Sequence, residues 1–254
     1  MHIYRCKLTL LEATFFSSRE VSATYQTEPV LGNIALAYAF NFCQSPYFND
    51  GTIHYKEHLS ALNARGLYLT PGTLIDQPRF TLGQFNAQPD AYWYAMGAGA
   101  IVTRPDGGQA IGAGKTWRLA RPGQQPTKVQ AESRPQYGRI RCLGIGNRAV
   151  AYVFSQEPLT IPRYIRLGKF MSKARVEAAE VSATLIERQA VTMPFLLNPA
   201  DLPAATALTI FDLINIPPAP LMRNARLSGQ FYHLKDGTLL PAGMRFGVDQ
   251  LPDS

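Results

Sequence analysis

Apolar and polar residues alternate at the start of the chain. Tyr4, Cys6, Leu8 and Leu10 fall on one side and Arg5, Lys7 and Thr9 on the other, the pattern of a half-buried strand. Thr27-Glu28-Pro29 predicts a helix start, with Thr27 as cap and Pro29 in the first turn, and the apolar run Ile34 to Phe42 continues a buried helix to near Cys43. A second helix is expected from about His54 to Ala64, where Arg65-Gly66 makes a good C-terminal stop. The strand Leu67-Tyr68-Leu69-Thr70 follows, closed by Pro71-Gly72. Two more strands, Arg139 to Leu143 and Ala149 to Phe154, are joined by the tight Gly144-Ile145-Gly146-Asn147, and Ile161 to Lys169 reads as a strand entering a loop. Arg175 to Ala183 has helical propensity. From Pro194 onward, prolines and short apolar runs such as Leu208 to Leu213 predict short strands and packed loops.

The stretch from Gly97 to Gly123 stands apart. Its seven glycines, interrupted by Arg104-Pro105-Asp106-Gly107-Gly108, predict a long hairpin or a glycine-rich loop. No repeat of fixed period and no linker divides the chain, so its 254 residues are expected to form one domain, with residues 97–141 as an insertion within it.

Composition narrows the class. Hydrophobic residues at 46% against 17% charged, with mean hydropathy near zero, describe a globular chain rather than a disordered one. Charges in the N-terminal Met1 to Lys7 stand where a signal peptide needs an apolar run, and no uninterrupted apolar stretch approaches membrane-spanning length, so a cytoplasmic protein with no membrane partner is expected. Cys6, Cys43 and Cys142 are odd in number and far apart; they suit buried thiols better than a disulfide framework or a zinc pattern.

Charge changes the picture most. From Lys115 to Arg175 there are thirteen Lys or Arg against only Glu132 and Glu157, a local balance of +11; against +7 overall, the rest of the chain carries −4. Such segregation provides the concentrated positive field that tracking a phosphate backbone requires.

Motifs for chemistry are weaker. Gly114-Lys115-Thr116 ends like a phosphate loop, but the earlier glycine would fall at Gln109 and Gly108 is one residue out of register; a flexible loop with Lys115 meeting phosphate fits better. His54 and His58 have helical i, i+4 spacing with Glu57 between them, yet glutamate does not directly follow the first histidine and neither His2 nor His233 has ligand spacing to the pair. A solvated or partner-facing helix surface accounts for them. The chain has no Gly-x-Ser-x-Gly elbow, and for acid-base ribonuclease chemistry it offers only scattered residues to test, such as Tyr25, His54 and Lys115. Neither a catalytic residue, a metal site nor a cofactor is predicted.

The strongest constellation is Arg163-Tyr164-Ile165-Arg166-Leu167-Gly168-Lys169-Phe170-Met171-Ser172-Lys173-Ala174-Arg175. Alternation along a strand places Tyr164 and Arg166 opposite Arg163 and Ile165, so a cation is exposed beside an aromatic ring. Single-stranded RNA is bound by such pairings: cations neutralise phosphates, aromatics stack bases and glycine admits close backbone approach. An edge strand with solubilising cations is the plainer reading of the same residues. With the basic stretch upstream, the candidate RNA-binding residues are Lys115, Arg118, Arg139, Arg141, Arg163, Tyr164, Arg166, Gly168, Lys169 and Lys173.

The segment Tyr164 to Ala174 resembles the one that follows the core strands in the type I-D Cascade subunit of the Cas five (Csc one) family. It is also similar to the looser Tyr-x-x-x-Leu-Gly-Arg pattern of other Cas five proteins, with one residue fewer between Tyr164 and Leu167 and Lys169 in place of arginine. Ile3 to Leu10, Thr27-Glu28-Pro29, Gly32 to Ala39, Gly66 to Gly72, Asn198 to Pro203 and Asp212 to Asn224 look like the same family, so the resemblance spans nearly the whole chain. It implies an α+β fold: a ferredoxin-like, RRM-related RAMP palm carrying a glycine-rich β-hairpin thumb, which residues 97–141 would supply, and a strand- and loop-rich C-terminal part. It also implies a non-catalytic subunit of a CRISPR interference complex, capping the 5′ handle of the crRNA. Its other partners would be the backbone subunit, the large subunit and target DNA near the flanking motif. A RAMP endoribonuclease that processes repeat RNA, or an unrelated RNA-binding module, are the alternatives.

Overall fold

The computed structural model describes residues 1–21, 24–43, 54–87, 101–103, 109–113, 116–120, 125, 127–130 and 136–251. In chain order the strands and helices are β1 (His2–Leu10), β2 (Arg19–Val21), β3 (Thr24–Gln26), β4 (Val30–Leu31), α1 (Asn33–Ala39), α2 (Tyr55–Ala64), β5 (Tyr68–Leu69), β6 (Gly72–Leu74) and β7 (Phe80–Ala87). Next come β8 (Ile101–Thr103), β9 (Gln109–Ala113), β10 (Thr116–Ala120), β11 (Thr127–Gln130), β12 (Gln136–Leu143), β13 (Arg148–Ser155), β14 (Tyr164–Leu167) and β15 (Ser172–Glu180). The chain finishes with β16 (Ala183–Thr192), β17 (Ala207–Ile214), β18 (Leu221–Leu234) and β19 (Leu239–Pro241). The result is a mixed fold that is mostly sheet, with two α-helices among the described residues, neither long and apolar enough to cross a membrane.

The chain forms two compact units, residues 1–82 with 141–254, and residues 83–140. In the first, a seven-stranded sheet runs β14-β15-β1-β13-β6-β4, with β5 also on β13, and every pairing given for it is antiparallel. β1 lies at its centre because its alternation is strict: Tyr4, Cys6, Leu8 and Leu10 are buried and stand opposite Val153, Ala151 and Ala149 of β13 and Ala178, Val176 and Ala174 of β15. Both helices lie between β1 and β5 in the sequence; no helix separates β13 from β15. A second sheet, β16-β18-β17 with β19 on β18, forms the C-terminal part, and β2 pairs with β3. In the second unit β8 to β11 form a four-stranded antiparallel sheet in the order β11-β10-β9-β8.

Several local expectations give way to tertiary pairing. Thr27 is not a helix cap: its hydroxyl donates to the Phe16 carbonyl (2.9 Å) and accepts from the Phe16 amide (3.0 Å), and its own amide donates to the Arg141 carbonyl. Val30 and Leu31 pair with Thr73 and Gly72, so the helix starts only at Asn33, and it ends at Ala39 rather than near Cys43. β5 ends at Leu69, before Pro71 as expected, and Gly72 then opens a further strand, β6. Arg175 to Glu180 is strand, not helix: Ala174 and Val176 are buried at period two against β1, and that ladder outweighs helix propensities of alanine and glutamate that are small per residue. The C-terminal strands are also not all short, since β18 runs for 14 residues. Elsewhere the periodicity held. α2 matches its predicted span, and Gly66 takes φ +60° just past its end.

A buried polar clasp ties the C-terminus to this unit. Asp201, 1% exposed, accepts from Asn33 Nδ2 (2.6 Å), Tyr68 Oη (2.9 Å) and the Gly247 amide (2.8 Å), joining the start of α1, β5 and the C-terminal segment. Asn63 of α2 adds a two-way bond to the Phe246 backbone. Burial pushes the Asp201 carboxyl up to about 7, while the three donors oppose the shift.

Candidate nucleic-acid interface

The strand registers sort the seven-stranded sheet into two faces. Opposite the buried Leu8 face, one row across four strands reads Tyr164, Arg175, Thr9 and Arg148; beside it Arg166 stands opposite Lys173, and Lys7 stands between Glu177 and Val150. Further along the same face Ile3, Tyr152 and Phe154 are buried, with Tyr232 and Phe195 of the C-terminal part against Phe154 and Tyr152. The face therefore has a covered apolar end and an open cationic end.

β14 forms the sheet edge at the open end. Its burial alternates, with Ile165 and Leu167 inside and Tyr164 and Arg166 outside. The Lys173 ammonium lies 4.4 Å from the centroid of the Tyr164 ring, a cation–π contact between neighbouring strands. Tyr164 and Arg166 share the exposed face that alternation predicted, and the register with β15 adds Lys173 to them. Arg166 is partly committed, since one guanidinium nitrogen donates to the Met171 carbonyl (3.0 Å) and lies 3.8 Å from the Glu12 carboxylate. Glu12 also accepts from the Lys173 amide at 2.8 Å.

Gly168 is required by the turn itself. It sits at φ +71°, and a Cβ there would fall 2.4 Å from the Phe15 carbonyl oxygen. The Lys169 amide donates to that same oxygen (2.9 Å), which leaves the Lys169 side chain exposed, as is that of Arg163. The residue kept as glycine for close approach to a ligand thus meets the protein's own backbone.

The upstream basic residues divide. Arg139 of β12 is exposed. Arg141 is half-buried: its guanidinium stacks 4.4 Å over Phe80, one terminal nitrogen donates to the Thr27 carbonyl at 3.5 Å, and Nε is buried with no partner. Arg118 stands on β10 opposite Lys128 and Ile111, and its side chain lies outside the described residues, as does Lys115 altogether.

The candidate residues left out Arg175, although it closes the Arg163–Arg175 constellation, and also Arg148 and Lys7, which share its face. Lys7 was on the polar side of the β1 alternation, but only register places Arg175 and Arg148 on either side of Thr9. Each is paired at the surface: Arg148 with Asp76 through two contacts of 2.8 Å, Arg175 with Glu177 at 2.9 Å, and Lys7 with Glu177 at 3.9 Å. The bond from Arg148 lowers the Asp76 carboxyl below its ordinary range. Exposed pairs of this kind are weak and screened by solvent, so phosphates can compete for the cations.

His54, His58 and Tyr25 are half-buried and held by the protein's own side chains or strands, and the thiols are buried. His58 Nδ1 lies 2.8 Å from the Tyr38 hydroxyl, joining α2 to α1, and His54 Nδ1 lies 3.5 Å from Glu57. Tyr25 stands on β3. The three thiols are buried, and burial raises Cys6 to about 12 and Cys43 to about 11, far from a reactive thiolate. Among the described residues no group of three His, Cys, Asp or Glu is placed to hold a metal ion.

No curated protein matches the chain. A family model described as type I-D CRISPR-associated protein Cas5/Csc1 matches residues 1–249.

Proposed function

Since the chain belongs to the type I-D CRISPR-associated Cas5/Csc1 family, we propose that it is a non-catalytic, RNA-binding subunit of the interference complex. In this reading it caps the 5′ handle of the crRNA, contacts the backbone and large subunits, and helps position target DNA. The observation that carries the reading is the open end of the seven-stranded sheet. There Lys7, Arg148, Arg166, Lys173 and Arg175 share one face with the exposed ring of Tyr164. Spaced cations beside a ring suit a single strand, whose phosphates need neutralising and whose bases need a flat partner.

The sheet order supports a RAMP palm. β15-β1-β13 with β5 and β6 is the arrangement in which the fourth, first, third and second strands of a ferredoxin-like unit lie side by side, and α1 and α2 occupy the first crossover. The second crossover departs from that pattern, since it holds the edge strand β14 where a helix would stand. Residues 97–141, of which all but Arg141 fall in the second compact unit, are the thumb in this reading.

RNA binding by the purified protein, measured with a guide 5′ fragment across a salt series, tests the reading. Lys7→Ala, Arg148→Ala and Arg175→Ala together should weaken binding and reduce the magnitude of the log–log salt slope by up to about 0.7 per lost contact. An unchanged slope would make these cations mere solubilising charges. Repeat RNA should emerge uncut from incubation with the protein; specific cleavage abolished by a single substitution would establish the endoribonuclease alternative instead. Deleting residues 104–118 should impair handle engagement or assembly while the first unit still folds, and normal guide protection after that deletion would remove the thumb assignment.

A further inference from the structure

The turn between β14 and β15 exposes more apolar surface than a solubilising turn would. Phe170 is 59% and Met171 60% exposed, in a segment otherwise held by specific bonds. The Lys169 amide donates to the Phe15 carbonyl (2.9 Å), the Met171 amide to the Gly168 carbonyl (3.1 Å), and the Ser172 hydroxyl to the Ala13 carbonyl (2.7 Å). Arg166 closes the turn from below through the Met171 carbonyl.

The Phe170 ring is itself supported. It stacks on Phe15 with centroids 5.3 Å apart and planes 21° from parallel, and Phe15 is buried at 5% exposure. One face of Phe170 thus rests on a fixed interior ring while the residue stays mostly in solvent. Tyr164, on the same hairpin, is 53% exposed and backed by the Lys173 ammonium. From Arg163 to Arg175 the hairpin has Arg163, Arg166, Lys169, Lys173 and Arg175 and no Asp or Glu.

We infer that Phe170 is a stacking platform for an unpaired nucleobase of single-stranded RNA, with the neighbouring phosphates held by the cations of the same hairpin. The inference rests on the RNA-binding reading above and adds a base-contacting residue to it. Charge decides the kind of occupant: an apolar protein surface over Phe170 would strip solvent from neighbouring cations such as Lys169 and Lys173 and supply no anion, whereas RNA brings a flat apolar ring and the anions together. Because Phe15 already fixes the ring, a third ring extends the stack with little further loss of side-chain freedom.

The full-length protein is titrated with a labelled oligouridylate and with the matching abasic ribose-phosphate oligomer. Phe170→Leu keeps Phe15 covered but removes the aromatic face; Phe170→Trp restores one. With Phe170→Leu, affinity for oligouridylate should fall about tenfold, affinity for the abasic oligomer should hold, and both salt slopes should be unchanged; Phe170→Trp should bind oligouridylate like the parent. Equal loss on both oligomers, or no loss on either, overturns the platform while leaving RNA binding standing. If the parent protein binds neither oligomer, the RNA-binding reading falls, and the platform with it.

Discussion

The two ends of one sheet face have opposite fates. At the covered end Ile3, Tyr152 and Phe154 are buried, with Phe195 and Tyr232 against the latter two, and the C-terminal segment is clasped through Asp201. At the open end the same strands carry Lys7, Arg148 and Arg175, and the edge hairpin adds Tyr164, Arg166 and Lys173. The strands and their alternation run unbroken between the ends; the side chains on the face and the layer over them differ. Fold stability is therefore concentrated where the face is covered and ligand contact where it is bare, so substitutions at the two ends should separate stability from binding.

The largest effect should come from the clasp. Asp201 has a folded pKa of about 7 against an unfolded value of 3.8, so the folded state holds a proton that the unfolded state releases. Its contribution is complete below about pH 4 and is lost as pH rises through 7, a change on the order of 4 kcal/mol. Urea unfolding across that range should show stability falling with pH, and Asp201→Asn should flatten the dependence. A flat profile in the parent protein would mean that the three donors hold the carboxylate ionised throughout.

Next is Gly247, where a Cβ would fall 2.4 Å from the Ala200 carbonyl oxygen. Gly247→Ala should cost about 3 kcal/mol in chemical denaturation, because the clash is with backbone rather than a yielding side chain. Gly168→Ala should cost as much, roughly 3 kcal/mol, combining positive φ with the clash against Phe15. It should also weaken RNA binding, since the same turn carries Lys169 and Phe170. If the midpoint moves but binding does not, the hairpin is not part of the interface.

The smallest stability effect should come from the open end. Lys173→Ala should change unfolding free energy by about 0.5 kcal/mol or less, yet lower RNA affinity and the salt slope. A loss of stability that exceeds the loss of binding would reverse the contrast between the ends.

Much of this was legible in the chain. The β1 alternation identified its buried and polar sides, and the Tyr164–Arg166 spacing identified the exposed side of β14, because period two is a property of the strand itself. The α2 boundaries were readable because Gly66 supplies the positive φ beyond its end. Arg175 to Ala183 misled because Ala and Glu do favour helix, but by little per residue, while β1 offers a full ladder. Thr27 misled because its hydroxyl is satisfied by Phe16, eleven residues earlier. Arg141 counted as one cation among many, and its stacking on Phe80 depends on a contact across the fold.

By itself the sequence determined the excess of positive charge, the alternating strands and the hairpin that combines aromatic and basic residues, because composition and short-range period are local quantities. Tertiary structure decided which cations share a face, which glycine meets backbone instead of ligand, and which end of the face stays bare. Those outcomes follow from register between strands far apart in the chain, where a shift of one residue would exchange the buried and exposed sides of the strand.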